Sequence, residues 1–450
     1  MIYAAYTPST TAVGSSLALT ALLGLLPLVV FFILLGVFKV KTHVCAIISL
    51  AAALAAAIFA FGMPVDLALL SATQGAAFGL FPIVYIVIMA VWLYNLTEKT
   101  GRSEDVRRVF AAVGKGDMRV QALLIGFCFC GLMEGLAGFG APVAISCAML
   151  LALGVPAIKA ALVTMVGNAL NVCFGAMAIP VTTAAKLGNS SADAVGATQG
   201  RITPLFLCWI PVLLLGILDG KRGMKQAWPA ALVAGVTMGL GHILAANFLS
   251  YELTAVFASL LSFASVTLLL RVWRPRTPEE QLSEASSEKL SGSRVALGLL
   301  PYWLVVVIFA VAKLWTAGID VPKALESTDV TFGWPGLDGQ LIDAKEQAVK
   351  ATQFTFSWLS SPGTMLLLTG LIVAFVYGKS SSGGKYPFSF GKGMTTLWKT
   401  VVDLKLAILT IAVVMALAYV MNFSGQTVAI GTWLAAAGGA FAFLSPILGW

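Results

Sequence analysis

Between Val120 and Ile158 the chain runs for 39 residues with a single charge, Glu134. About 20 apolar residues cross the hydrocarbon core as a helix, so this run could pass through a bilayer nearly twice. Its middle, Gly131-Leu-Met-Glu-Gly-Leu-Ala-Gly-Phe-Gly-Ala-Pro-Val-Ala144, holds Gly135, Gly138, Gly140 and Pro142. A continuous helix tolerates that combination poorly. Broken backbone at membrane depth persists only where protein or a water-filled cavity satisfies its free N–H and C=O groups. An ionisable residue beside such a break is a functional-site candidate by default. The pattern therefore predicts a substrate or ion site on a discontinuous helix or re-entrant hairpin. The competing reading is that the glycines serve close helix packing and Glu134 is a neutral, hydrogen-bonded acid.

The rest of the chain has a matching composition, with 59% hydrophobic and 11% charged residues. Soluble domains carry about 25% charged residues, so the fold class expected is an all-α polytopic membrane protein. The net charge of +8 does not indicate a nucleic-acid partner, because the basic residues sit in short loops between apolar runs. Six cysteines fall in or beside apolar segments and only two histidines occur, so neither a metal site nor any other cofactor is expected. No Lys or Arg precedes Lys39, so the first apolar segment lacks the basic flank of a signal peptide and is expected to stay as a transmembrane helix.

Thirteen apolar segments are candidates for spanning the membrane: 20–38, 44–62, 78–96, 120–133, 142–155, 160–177, 203–218, 228–248, 253–270, 296–315, 364–377, 404–421 and 429–448. With the N-terminus outside and the glycine break separating two spanning arms, every basic loop falls on the cytoplasmic side. These are Lys39/Lys41, the stretch Lys99–Arg119, Lys221/Arg222/Lys225, Arg271–Arg294 and Lys379–Lys399. The loop Ala317–Ser360, with six acidic residues against three lysines, falls outside. Apolar Val106, Phe110 and Val113 predict a short interfacial helix between Glu98 and Arg119. The Pro-, Glu- and Ser-rich residues 271–295 read as a cytoplasmic linker between an N-terminal transmembrane half, 1–270, and a C-terminal half, 296–450. Gly24-Leu-Leu-Pro27 and Gly298-Leu-Leu-Pro301 open segments of opposite direction, which suggests an inverted repeat.

Glu134-Gly-Leu-Ala-Gly-Phe-Gly-Ala-Pro-Val-Ala-Ile145 resembles the signature of the bacterial L-lactate permease family, which includes glycolate permeases. The resemblance continues through Asn168, Asn171, Phe174-Gly-Ala-Met-Ala-Ile-Pro180, Gly200-Arg201, Leu218-Asp-Gly-Lys-Arg-Gly223 and Trp228-Pro-Ala230. It resumes at Met421-Asn-Phe-Ser-Gly425 and Leu444-Ser-Pro-Ile-Leu-Gly-Trp450. It implies a secondary transporter of the bacterial inner (plasma) membrane that imports L-lactate, glycolate or a related 2-hydroxy acid by proton symport. It also implies a further Gly-Ser-Asp-Thr-Ser-Ser-Asn stretch and more helices beyond Trp450, so the chain is expected to be C-terminally truncated and its second half incomplete. Alternatives are a carrier for another small carboxylate, a transport-inactive fragment, or a channel. No paired carboxylates, metal-ligand cluster or nucleophile–base arrangement points to an enzyme.

A 2-hydroxy acid presents a carboxylate and a hydroxyl. The helix starting near Ala141-Pro142 offers free first-turn N–H groups to the former. Gly135, Gly138, Phe139 and Gly140 would let a ligand approach the backbone, although each glycine could equally be a packing residue. Asn168 and Asn171, three apart, share a helix face and offer donors and acceptors to the substrate or to a neighbouring helix. Gly175 and Pro180 predict a second irregular element facing the first. Glu134 is the candidate proton-coupling residue, with capping of backbone N–H groups as its structural alternative. Arg201 is a possible anion contact, and otherwise a snorkelling anchor. His242 could relay protons, although a lone histidine in a bundle is more often a hydrogen-bonded packing residue. The partners expected are the substrate, a proton and membrane lipid.

Overall fold

A computed structural model describes residues 6–114, 116–136, 138, 141–188, 190–282, 291–314, 319–342, 348–382, 384–436 and 438. The chain is an all-α polytopic membrane protein. Among the described residues, nine helices are long and apolar enough to cross a membrane, or ten if the bent pair Ala157–Asn168 and Val172–Lys186 counts as one span. The thirteen apolar segments map onto fewer elements because two are joined, one is only the short helix Pro142–Leu151, and one is described only in part. Segments 203–218 and 228–248 lie within the helical run Ala192–Leu249. The helix Ile210–Leu244 in that run is interrupted at Asp219 and Gly220, the latter at φ 61°, ψ −149°. The last segment, 429–448, is described only in its first part, as the helix Gln426–Ala435.

Helix starts follow their capping chemistry. Ser16 accepts from the Leu19 N–H, Asp117 from Arg119 and Val120, and Ser191 from Ala194, each satisfying a donor that the first turn leaves open. Outward surfaces are apolar instead of polar. On Leu17–Gly36, Leu22, Val29 and Phe32 are exposed while Thr20, Ala21 and Gly24 are buried. Small residues face protein and large ones face lipid, the pattern of helices that associate by close packing in a bilayer.

Contacts group the chain into two compact units, one comprising Met1–Tyr85, Asp329–Ser357 and Val402–Trp450, the other Ile86–Thr328 and Trp358–Val401. In the first unit, Val65–Phe78 packs on Lys405–Phe423 so closely that a Cβ at Gly75 would lie 2.8 Å from Ala416 Cα. No apolar segment marked Val65–Phe78, because Ser71, Thr73 and Gln74 dilute its hydropathy. Their donors find acceptors inside the protein: Ser71 donates to Leu67 O at 2.6 Å, Thr73 to Leu70 O at 2.8 Å and Gln74 Nε2 to Ala351 O at 2.9 Å. A short antiparallel hairpin pairs Val330–Gly333 with Gln353–Phe356 in the Val330↔Phe356, Gly333↔Gln353 register.

The second unit is built around Met118–Leu136, in which every residue from Arg119 to Leu136 is buried. The helix expected between Glu98 and Arg119 is Arg102–Val113, with Glu104 and Asp105 in its first turn, where negative charge complements the helix dipole. Three basic loops meet at Arg119. Its Nε and Nη2 donate to Asp117 at 3.2 and 2.8 Å, its Nη1 to Asp219 at 3.0 Å and Gln226 at 2.8 Å, and its Nη2 to Arg276 O at 3.0 Å. Elsewhere in this unit Arg294 pairs with Asp105, and Tyr386 donates to Asp105 at 3.0 Å. Arg102 lies over the rings of Tyr377 and Tyr386, 4.8 and 5.0 Å from their centroids, a cation–π arrangement.

Candidate functional site

Two interrupted elements of the second unit face each other. The first is Cys130–Leu136, ending in the glycine break and followed by Ala141–Ala152. The second begins where Ala157–Asn168 stops and passes through the short turn Val172–Phe174 into Gly175–Leu187, with an overall bend of 61°. Ala176, Met177 and Ala178 take φ of 43°, 57° and 57°. Left-handed backbone disfavours L-residues by roughly 1–2 kcal/mol each. Three in succession therefore require support from the surroundings, and Phe174, Ala178, Val181, Ala246 and Ala255 form a buried cluster behind them.

Glu134 stands between these elements, 3% exposed. Its Oε2 accepts from Asn168 Nδ2 at 2.7 Å. Its Oε1 fills the space a Cβ at Gly175 would need, so glycine is required there. Gly138 adopts φ +55°, and a Cβ on it would meet Ala176 N and Cβ at 3.1 Å and Glu134 Oε1 at 3.5 Å. The expected second irregular element thus lies directly against the first. Phe139 and Gly140 lie outside the described residues, as does the side chain of Ala141.

Asn171, fully buried, is held from a third helix. His242 Nε2–H donates to Asn171 Oδ1 at 3.2 Å. Nδ1 of the ring faces the Thr203 hydroxyl at 3.0 Å, which also lies 3.0 Å from Gln199 O. The Phe174 ring packs edge-on against the imidazole, 5.3 Å between centroids. Gly131 makes room beside the amide, because a Cβ there would sit 2.8 Å from both Asn171 Nδ2 and Ser259 Oγ.

Two polar atoms at this place have no partner among the described residues: Asn168 Oδ1 and Asn171 Nδ2. Buried polar atoms are ordinarily hydrogen-bonded, so an open acceptor on the amide that binds the carboxyl and an open donor three residues on form a set suited to a small polar ligand. A carboxyl, a carboxamide oxygen and a carboxamide N–H can together hold a proton, accept from a hydroxyl and donate to an oxygen.

Other sequence candidates lie differently. Gly135 packs on the neighbouring helix, its Cβ position 2.9 Å from Val256 Cγ2 and 3.0 Å from Ala255 Cβ. Pro142 is buried in the first turn of Ala141–Ala152. Arg201 is exposed and donates to Asn247 Oδ1 at 2.7 Å, away from the carboxyl and amides. Sequence reasoning gave no role to Thr203 and did not join His242 to Asn171; the pair are 71 residues apart and no periodicity links them.

Comparison with known proteins places this arrangement in context. The family described as L-lactate permease matches residues 20–450. The glycolate permease of Escherichia coli K12 is 35% identical over 96% of this chain and 80% of its own length. The L-lactate permease of Bacillus subtilis is 34% identical over 99% of this chain and 81% of its own length. That of Escherichia coli K12 is 34% identical over 96% and 79%. No solved structure matches.

Proposed function

This chain belongs to the L-lactate permease family, and from that premise we propose that it imports L-lactate or glycolate across the bacterial inner membrane by proton symport. The family points to a transporter and not an enzyme. The observation that carries the mechanistic reading is the Glu134–Asn168 hydrogen bond with Asn168 Oδ1 and Asn171 Nδ2 left open beside it. In this reading the substrate hydroxyl donates to Asn168 Oδ1, and a substrate oxygen accepts from Asn171 Nδ2. The carboxylate lies toward the first-turn N–H groups of Ala141–Ala152, where the helix dipole favours an anion. Gly138, against Glu134 and Ala176, forms part of the wall of the site.

Glu134 couples the proton. Ionised, it repels a second carboxylate in a setting of low dielectric; protonated, it removes that repulsion. Substrate and proton therefore bind together. Arg201, at the exposed surface, would act earlier as an attractor of anions. The basic loops that meet at Arg119, Asp219 and Arg276 support one cytoplasmic face, with the N-terminus outside. Movement of the N-terminal part, 1–270, against the part after the linker, 296–450, would alternate access to the site.

Uptake of labelled L-lactate into vesicles with an imposed inward proton gradient tests the proposal. The expected result is protonophore-sensitive accumulation that Glu134→Gln loses, while that variant still exchanges labelled for unlabelled lactate. Accumulation unaffected by both treatments would remove the proton role from Glu134. Accumulation of glycolate alone would reassign the substrate.

A further inference from the structure

The helix Phe390–Asp403 follows the spanning helix Pro362–Lys379 and lies against its end. Its Gly393 faces Ala374 and Leu96, with a Cβ position 2.9 Å from Ala374 Cβ, and Gly393 O accepts from Trp92 Nε1 at 3.0 Å. Thr400 Oγ1 accepts from Asn95 Nδ2 at 2.9 Å. One face is thus fixed on protein by Gly393, Thr396 and Thr400. A second face, four residues apart along the helix, exposes Phe390, Met394 and Trp398. Trp398 is 68% exposed, and a tryptophan so placed beside a spanning helix is typical of the membrane–water boundary.

A third face, with Lys392 and Lys399 two turns apart, borders a cavity of about 450 Å³ that Lys99, Thr395 and Thr396 also line. Among the described residues none of these three lysines forms an ion pair. Three ammonium groups around one cavity, next to an exposed apolar stripe, match an anionic head group with its acyl chains. We propose that Lys99, Lys392 and Lys399 form a binding site for an anionic phospholipid, whose chains lie along Phe390, Met394 and Trp398. The site holds this helix at the membrane surface by its phosphate and its chains together.

The test is titration of the purified full chain in detergent with dioctanoyl phosphatidylglycerol, dioctanoyl phosphatidylcholine or inorganic phosphate, followed by thermal shift and native mass spectrometry. Saturable binding of phosphatidylglycerol is expected, in preference to phosphatidylcholine and not displaced by millimolar phosphate. Replacing all three lysines by glutamine should weaken it roughly 100-fold, and Lys392→Gln alone about fivefold, as expected when each cation near an anionic head group contributes a similar increment. Replacing all three by arginine should preserve it. Equal binding of both lipids, or unchanged binding in the glutamine variants, would overturn the proposal. Displacement of the lipid by inorganic phosphate would overturn it in favour of a soluble anion.

Discussion

Two buried charged groups of the second unit, Arg119 and Glu134, are only 15 positions apart and are treated in opposite ways. Arg119 has five N–H donors, and all five are used, on Asp117, Asp219, Gln226 and the carbonyl of Arg276. Its partners are saturated in turn: Asp117 also accepts from the Arg119 and Val120 backbone N–H groups and from the Thr277 hydroxyl. Among the described residues Glu134 has one side-chain hydrogen-bond partner, Asn168, and that partner and Asn171 each keep an open atom. A closed network has no valence left for a ligand, so its work is to hold loops together. An open one leaves buried polar groups unpaired at roughly 1–3 kcal/mol each, which a substrate can relieve.

The sharpest way to break this comparison is to remove one charge from the closed network. Arg119→Met leaves Asp117 without its cation, while Asp219 keeps Arg222, and truncating one partner of a buried ion pair destabilises by about 3–5 kcal/mol. Loss of folded protein from the membrane is the expected outcome, read by detergent-solubilised thermal melting. Adding Asp117→Asn should restore part of the stability. Next in size is Gly175→Ala. The added Cβ must displace the Glu134 carboxylate, and a shift of about 1 Å at a reacting group can lower rates 100-fold. Lactate uptake should fall by about that factor while membrane abundance stays near wild type. An equal fall in both would mean that the glycine serves folding alone.

The parts legible in the sequence are those with a local chemical signature. The break at residues 134–142 announces itself because glycine, proline and a lone carboxyl conflict with a membrane helix. The spacing of Asn168 and Asn171 puts both on one face of a continuous helix, whereas the helix ends at Asn168 and Asn171 lies in the turn after it. The left-handed turn at Ala176–Ala178 carried no such signature, since alanine favours helix and only the packing behind it maintains the strained backbone. Val65–Phe78 escaped notice because its polar donors find their acceptors only in the folded chain, as Gln74 Nε2 does at Ala351 O. The same reason hid the Arg119 network. Sequence marks Arg119 as one of six basic residues in a loop, whereas its meaning depends on Asp219, 100 residues away.

Smaller effects sharpen the comparison where the two kinds of network meet. Asn171→Ala removes the open donor and should raise the half-saturating lactate concentration about tenfold, the size of a hydrogen bond of about 1.4 kcal/mol to a charged group. Maximal uptake should change less. His242 offers the finest discrimination, because it touches Asn171 and Thr203 but neither Glu134 nor an open atom. If its role is to aim the Asn171 amide, His242→Gln, which can keep a donor toward Asn171 Oδ1, should retain affinity within a few-fold. His242→Phe should weaken substrate binding nearly as much as Asn171→Ala. The double variant Asn171→Ala/His242→Phe should then be no weaker than Asn171→Ala, because residues acting as a unit are not additive. Additive losses would mean that His242 serves the site independently, and the opposition between closed and open networks would have to be redrawn to include it.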